Sequence, residues 1–112
     1  MPRYDLLIRG GHVLDPASGL DADLDVAIRG EGIAAVEPSL PPESAARVLN
    51  ATGAIVVPGL IDLHTHLGFK LHGQVVQADD VCPASGVTTA VDMGTTGSFT
   101  MPWYHDRVLT HS

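Results

Sequence analysis

The stretch VVPGLIDLHTH, residues 56–66, decides the predicted fold of this chain. The apolar residues that precede its histidines are typical of a strand buried on both faces, and we predict a strand over residues 60–64. Because side chains alternate along a strand, His64 and His66 share one face. Neutral imidazoles so placed can hold a divalent metal ion, and the pattern therefore predicts a metal site where the strand ends.

Several segments around this stretch resemble the amidohydrolase superfamily of metal-dependent hydrolases. Residues 5–11 (DLLIRGG) and 13–16 (VLDP) look like the opening of its dihydroorotase and deacetylase members, and residues 85–92 (SGVTTAVD) fit the same pattern in the same order. The nearest resemblance is to the amidohydrolase/deacetylase branch, which includes aminoacylase-like enzymes. It extends over essentially the whole chain, but over only the N-terminal portion of such an enzyme.

The resemblance implies a function and a cofactor. Enzymes of this kind hydrolyse a non-peptide C–N bond of a small-molecule amide with one or two divalent ions, for which zinc is expected. Carried over by residue, it makes His64 and His66 metal ligands and assigns no catalytic residue, because the remaining ligands and the proton-handling aspartate usually come from later barrel strands. Catalytic zinc needs about three protein ligands, so we expect the isolated chain to bind metal weakly and to show no amidase activity.

The predicted fold class is α/β with a small β module. We expect residues 1–57 to form an antiparallel β module, the N-terminal piece of a composite β-sandwich, and residues 58–112 to begin a TIM-type barrel. A (β/α)8 barrel needs about 250 residues, whereas this chain has 112. The sequence therefore predicts only the first two barrel strands, in a truncated barrel.

Turn signals set the expected elements. A hairpin is predicted around Gly30-Glu31, and Gly10-Gly11 is expected to break the first strand. In the second part, Val87–Asp92 is the other predicted barrel strand. We expect it to pair in parallel with residues 60–64 through a crossover that contains a short helix within residues 78–85.

Other polar residues near the histidines leave alternatives open. Asp62 either supports a ligand imidazole or is a strand residue satisfied by backbone amides. Asp92 ends its strand at the barrel face where such enzymes place their sites, so it either lines a substrate pocket or belongs to a plain glycine turn. For Lys70 we favour a surface charge, and for His72 a solvated loop position.

Composition limits the classes of partner and compartment. The formal net charge of −7 leaves no basic surface for nucleic acid or an anionic membrane. The single cysteine, Cys82, excludes an internal disulfide and is expected to be a small core residue. The N-terminus has no apolar signal segment, and no apolar run approaches the length of a membrane span, so a cytoplasmic location is expected.

Three hypotheses follow for this chain. It is the N-terminal part of a deacetylase-like amidohydrolase, a non-catalytic fragment or interaction module that offers strand edges, or half of a metal site shared within a homo-oligomer. A dihydroorotase- or hydantoinase-like cyclic amidase is the alternative within the first hypothesis. Dihydroorotases typically carry an arginine two residues after the second histidine, where this chain has Leu67-Gly68, and this favours the deacetylase-like branch.

Overall fold

A computed structural model describes residues 1–67 and 77–111. Lys70 and His72 lie outside the described residues. The chain divides into two units, Met1–Pro58 and Gly59–Ser112, each with its own sheet. Within the described part, no helix combines the length and the apolar character needed to cross a membrane.

The first unit is a five-stranded sheet. Its elements are β1 Tyr4–Asp15, β2 Leu20–Arg29, β3 Gly32–Glu37, a 3-10 turn Pro42–Ser44, β4 Ala45–Asn50 and β5 Ile55–Val56. Strand order is β3-β2-β1-β4, and β5 pairs with β1 beyond the end of β4. The predicted hairpin is confirmed, because β2 and β3 pair antiparallel across a turn at Gly30-Glu31.

The prediction of an antiparallel module was wrong for half of this sheet. β1 pairs antiparallel with β2 but parallel with both β4 and β5. After β3 the chain crosses from one edge of the sheet to the other through the proline-containing segment 38–44, and it then runs in the direction of β1. Parallel neighbours always require such a crossover, and alternation along a strand does not reveal strand direction.

The pair Gly10-Gly11 does not break β1, contrary to expectation. The strand continues to Asp15, and its register with β2 shifts between Ile8 and Gly11. Gly10 adopts a left-handed φ of 72°, and its backbone N–H donates to Asp25 Oδ1 at 2.8 Å. The glycine therefore forms a β-bulge, a local irregularity that leaves the strand intact.

The core of the first unit is built around side chains of β1. Leu7 is fully buried and packs with Tyr4, Ala27 and Leu40. The carboxylate of Asp25 is also buried, with 3% of the residue exposed. It accepts the N–H of Gly10 and, through Oδ2 at 2.8 Å, that of Leu40, and thereby ties the segment after β3 to the sheet.

The second unit contains the histidine motif. Its elements are β6 Leu60–Thr65, α1 Ala78–Val81, a 3-10 turn Pro83–Ser85, β7 Val87–Asp92, α2 Met101–Tyr104 and a π-helical turn His105–Leu109. β6 and β7 pair in parallel, with α1 between them in sequence, so the predicted parallel pair and its short helix are confirmed.

Close approach of the two strands depends on Gly59. A Cβ atom at that position would lie 2.1 Å from Thr88 Oγ1, a separation that real contacts do not allow. Glycine just before β6 therefore lets the backbone pack against β7 at the start of the parallel pair.

The expectation that β6 is buried on both faces was wrong for the chain as described. Leu60, Ile61 and Leu63 are 51%, 62% and 70% exposed. A parallel sheet buries its strands only when layers cover both of its faces. Within residues 59–67 and 77–111, β6 pairs with β7 alone, and these elements leave its apolar side chains open.

Candidate metal centre

The two histidines of the motif lie together where β6 ends. Their ring centroids are 5.6 Å apart, and the planes meet at 69° in an edge-to-face contact. Both residues are exposed. The structure therefore brings the imidazoles of His64 and His66 to one place. A common ion at about 2.0–2.1 Å from each nitrogen requires the two ligating nitrogens to lie within about 4 Å of each other, and this separation stays a prediction.

Asp62 contacts the backbone of the motif. Its Oδ1 accepts the N–H of His64 at 3.0 Å. Of the two roles left open by the sequence, this contact matches the strand residue satisfied by a backbone amide. It also fixes the local backbone immediately before the first histidine ring.

The ring of His66 has a different partner. Its Nδ1 lies 3.3 Å from the Thr95 hydroxyl oxygen, and Thr95 is buried, with 6% of the residue exposed. With Nδ1 engaged on the protein side, Nε2 is the ring nitrogen left for another ligand. Thr95 thus belongs to the site although it stands 29 residues later in the sequence.

Asp92, at the end of β7, accepts backbone N–H groups from the residue that follows His66 and from the turn that follows β7. Its Oδ2 accepts the N–H of Leu67 at 2.7 Å, and its Oδ1 accepts the N–H groups of Thr95 at 2.8 Å and Gly94 at 3.1 Å. Partial burial raises the pKa of Asp92, but hydrogen bonds from Leu67, Thr95 and Gly94 outweigh it and hold that pKa below its usual value.

Tyr104 connects the helical segment to Asp92. It is buried, and burial, followed by the nearby charge of Asp92 and a hydrogen bond to that carboxylate, raises the pKa of the phenol. Tyr104, Leu67 and Asp92 line a cavity of about 470 Å³ beside β7. The suggestion that Asp92 contributes to a substrate pocket stays a prediction.

Thr95 and Tyr104 were missed by the sequence reasoning. A signal for Thr95 existed, because an aspartate that ends a strand and precedes Gly94 can accept N–H groups two and three residues later in an Asx turn. That geometry brings Thr95 back towards the strand end. Nothing in the sequence indicated Tyr104, which reaches Asp92 only through the fold.

A separate histidine–carboxylate cluster lies in the first unit. The Nδ1 of His12 lies 2.8 Å from Asp23 Oδ1, and its Nε2 lies 2.8 Å from Asp21 Oδ1. Pairing of β1 with β2 brings the three side chains together. Hydrogen bonds to Asp23 and then Asp21 raise the pKa of His12.

The chemistry of the donor set at the end of β6 fits a divalent cation in part. Two imidazoles in contact, one with its second nitrogen already hydrogen-bonded, are the ligand type that zinc accepts. Among residues 1–67 and 77–111, no group of three or more His, Cys, Asp or Glu residues could hold a metal ion. The described part of the chain therefore offers two imidazoles, fewer than the three or so protein ligands that catalytic zinc needs.

Comparison with known proteins identifies the family. No protein-family model matches the chain. A dihydroorotase of Geobacter sulfurreducens is 37% identical over 95 residues, which are 82% of this chain and 22% of that enzyme. The chain belongs to the amidohydrolase superfamily. This confirms the predicted family, and the matched region is the N-terminal part of the relatives.

Solved structures agree with this membership. An adenine deaminase superposes with a TM-score of 0.70 at 32% identity, over 92% of this chain and 27% of the deaminase chain. The N-acyl-D-glutamate deacylase of Bordetella bronchiseptica gives a TM-score of 0.63 at 29% identity, over 80% of this chain and 18% of the deacylase chain. That structure contains zinc and a phosphonate mimic of the tetrahedral intermediate. The chain spans about a fifth of the length of the curated relatives that it matches.

Proposed function

We propose that this chain supplies the N-terminal part of a metal-dependent amidohydrolase that hydrolyses the C–N bond of a small-molecule amide. The observation that carries the proposal is the contact between the His64 and His66 rings at the end of β6. Family membership supports it, because relatives with the same N-terminal region are hydrolytic enzymes by name.

Zinc is the cation we propose for the pair, with one or two ions in a complete enzyme. His64 and His66 would hold it through imidazole nitrogens, and the N-acyl-D-glutamate deacylase that resembles this chain was solved with zinc. When bound, such a cation acidifies water and polarises the carbonyl under attack. Other residues of this chain would position the two histidines. Asp62 accepts the backbone N–H of His64, and Asp92 accepts that of Leu67, which follows His66.

We further propose that β6 and β7 are the first two strands of a (β/α)8 barrel, and that residues 1–57 belong to a composite β-sandwich. Parallel pairing of β6 with β7 supports the first assignment. Exposure of Ile61 and Leu63 supports it as well, because barrel strands are covered inside by side chains and outside by helices.

For the substrate we favour a linear N-acyl compound, as in deacylases and aminoacylases. Leu67-Gly68 stands where dihydroorotases typically carry an arginine for a substrate carboxylate. A cyclic amide remains the alternative, supported by the dihydroorotase relative.

The two substrate classes can be compared directly by NMR. The zinc-loaded chain is titrated with N-acetyl amino acids and with dihydroorotate, and the amide chemical shifts of Leu67 and Thr95 report which compound binds.

Zinc binding by isothermal titration calorimetry tests the ligand assignment. The double variant His64→Ala/His66→Ala should lose the binding shown by the wild-type chain. A matched control, His105→Ala/His111→Ala, also removes two exposed imidazoles and should keep it. Equal zinc affinity in the wild type and the His64/His66 variant would refute the assignment.

Stoichiometry separates this function from the two alternatives. One ion per chain, without a change of mass, supports a ligand pair within one molecule. One ion per two chains, with zinc-dependent dimerisation in analytical ultracentrifugation, supports a metal site shared within a homo-oligomer. Association that is independent of both zinc and the histidines supports an interaction module that uses strand edges. A cytoplasmic location stays a prediction.

A further inference from the structure

We propose that Thr95 is a positioning residue for His66, held in place by Asp92, and that it keeps the ring proton on Nδ1 so that Nε2 faces the metal. This inference rests on the proposed function for the direction of the hydrogen bond and for the orientation of Nε2 towards an ion. The contact that holds the ring is a property of the chain itself.

The first step is the contact between the two side chains. Thr95 Oγ1 lies 3.3 Å from His66 Nδ1, and only 6% of Thr95 is exposed. An exposed imidazole next to a buried hydroxyl is held on its inner side and free on its outer side. This is how ligand histidines are usually oriented, with one ring nitrogen bonded to the protein and the other directed at the cation.

The second step is the fixed position of Thr95. Its backbone N–H donates to Asp92 Oδ1 at 2.8 Å, and the other oxygen of that carboxylate accepts the N–H of Leu67 at 2.7 Å. Leu67 directly follows His66, so a single carboxylate holds both the backbone of the ligand and the backbone of its hydroxyl partner. The two backbone segments that carry Nδ1 and Oγ1 are therefore both held by the same carboxylate.

The third step is the direction of the hydrogen bond. A hydroxyl has one hydrogen and two lone pairs. Thr95 Oγ1 can therefore either donate to His66 Nδ1 or accept from it across the 3.3 Å that separates them. A ligand histidine ordinarily donates its second ring N–H to the protein, so in the proposed site the Nδ1–H of His66 donates to the hydroxyl. Neutral His66 consequently has its lone pair on Nε2.

The tautomer of His66 can be measured without metal. The chain is labelled with ¹⁵N-histidine, and long-range ¹H–¹⁵N spectra are recorded at a pH where the ring is neutral. We expect the Nδ1–H form in the wild type and in Thr95→Ser, which keeps the hydroxyl. In Thr95→Val, which has the same shape without it, both tautomers should be populated. Thr89→Val, on the exposed face of β7, is the control and should resemble the wild type.

Zinc affinity gives a second readout. We expect Thr95→Val to weaken zinc binding by roughly ten- to a hundredfold, the usual effect of removing a hydrogen-bond partner from a ligand, and Thr95→Ser to restore most of it. An Nε2–H tautomer in the wild-type chain, which requires no variant to fold, would overturn the inference. An unchanged tautomer in folded Thr95→Val would also overturn it.

The two proposals can fail separately. If zinc binds through His64 and His66 but His66 is an Nε2–H tautomer, the positioning role is wrong and the metal site stands. If the tautomer depends on the Thr95 hydroxyl but no zinc binds, the positioning role stands and the proposed function fails.

Discussion

The Asp92 carboxylate accepts the backbone N–H of Leu67 at 2.7 Å, which joins the end of β7 to the residue that follows His66. With its other oxygen it accepts the N–H groups of Gly94 and Thr95. One side chain thus bonds both the residue that follows His66 and the turn that follows β7, at the end of the β6–β7 pair.

Replacing Asp92 with asparagine should destabilise the second unit by about 1–3 kcal/mol, the usual cost when backbone donors lose a charged acceptor. Trp103, the single tryptophan of the chain, lies in this unit and reports its unfolding by fluorescence. Asp80→Asn in α1 removes an exposed charge and should leave the midpoint unchanged. Equal midpoints for Asp92→Asn and the wild type at neutral pH would contradict the role assigned to Asp92.

The same carboxylate should make the second unit acid-sensitive. Its pKa is lower in the folded chain than in the unfolded chain, so its contribution to the free energy of unfolding is present above the unfolded value. That contribution is lost as pH falls through the folded value. Wild-type stability should therefore decline more steeply in this range than that of Asp92→Asn, as urea midpoints measured from neutral to acidic pH will reveal.

The His12 cluster should respond to pH in the opposite sense. Hydrogen bonds to Asp23 and then Asp21 raise the pKa of His12, so its contribution to stability is present below the ordinary histidine value and lost as pH rises through the folded one. NMR titration should place the pKa of His12 above its ordinary value, and Asp23→Asn should lower it. A titration of His12 that is the same in both chains would rule out the coupling.

Asp25 should be needed for the first unit. It is a buried carboxylate that satisfies the N–H groups of Gly10 and Leu40. Asp25→Asn replaces one acceptor oxygen with a donor and should cost about 1–3 kcal/mol, with faster amide exchange at Gly10 or Leu40. Glu37→Gln on exposed β3 is the neutral comparison. Unchanged exchange at both amides would show that the bonds contribute little.

The apolar surface of β6 should promote self-association. Ile61 and Leu63 are 62% and 70% exposed, and large open apolar surfaces mark contact sites. The double variant Ile61→Thr/Leu63→Thr should remain monomeric at concentrations where the wild type associates in sedimentation velocity. Ile33→Thr/Ile55→Thr removes equally exposed side chains from the first unit. An equal effect of this control would show that β6 is not the specific surface.

Sequence patterns predicted the strands better than their directions. The limits of β7 were predictable because Gly86 and Gly94 bracket a β-branched run. The direction of β4 was not, since alternating apolar residues look the same in a parallel and an antiparallel neighbour. The bulge at Gly10 likewise required knowledge of Asp25, whose carboxylate is its hydrogen-bond partner.

The site divides in the same way. Spacing alone placed His64 and His66 on one side of a strand end, because a period of two is a local property. Thr95 follows β7 and Tyr104 lies in α2, and the fold brings both to the site. Contacts between residues so far apart in the sequence produce no periodic pattern that could predict them. Asp62 shows what alternation along a strand does not predict. It is an even-numbered residue like His64 and His66, yet its carboxylate accepts a backbone N–H.

The central position of β1 has a consequence for protein synthesis. One edge of β1 pairs with β2, which follows directly, but the other waits for β4 and β5 at residues 45–56. Pairings between distant segments form slowly. On the ribosome, β1 therefore gains its second neighbour only after residues 45–56 have left the exit tunnel. Until then that edge is open to strands of other nascent chains.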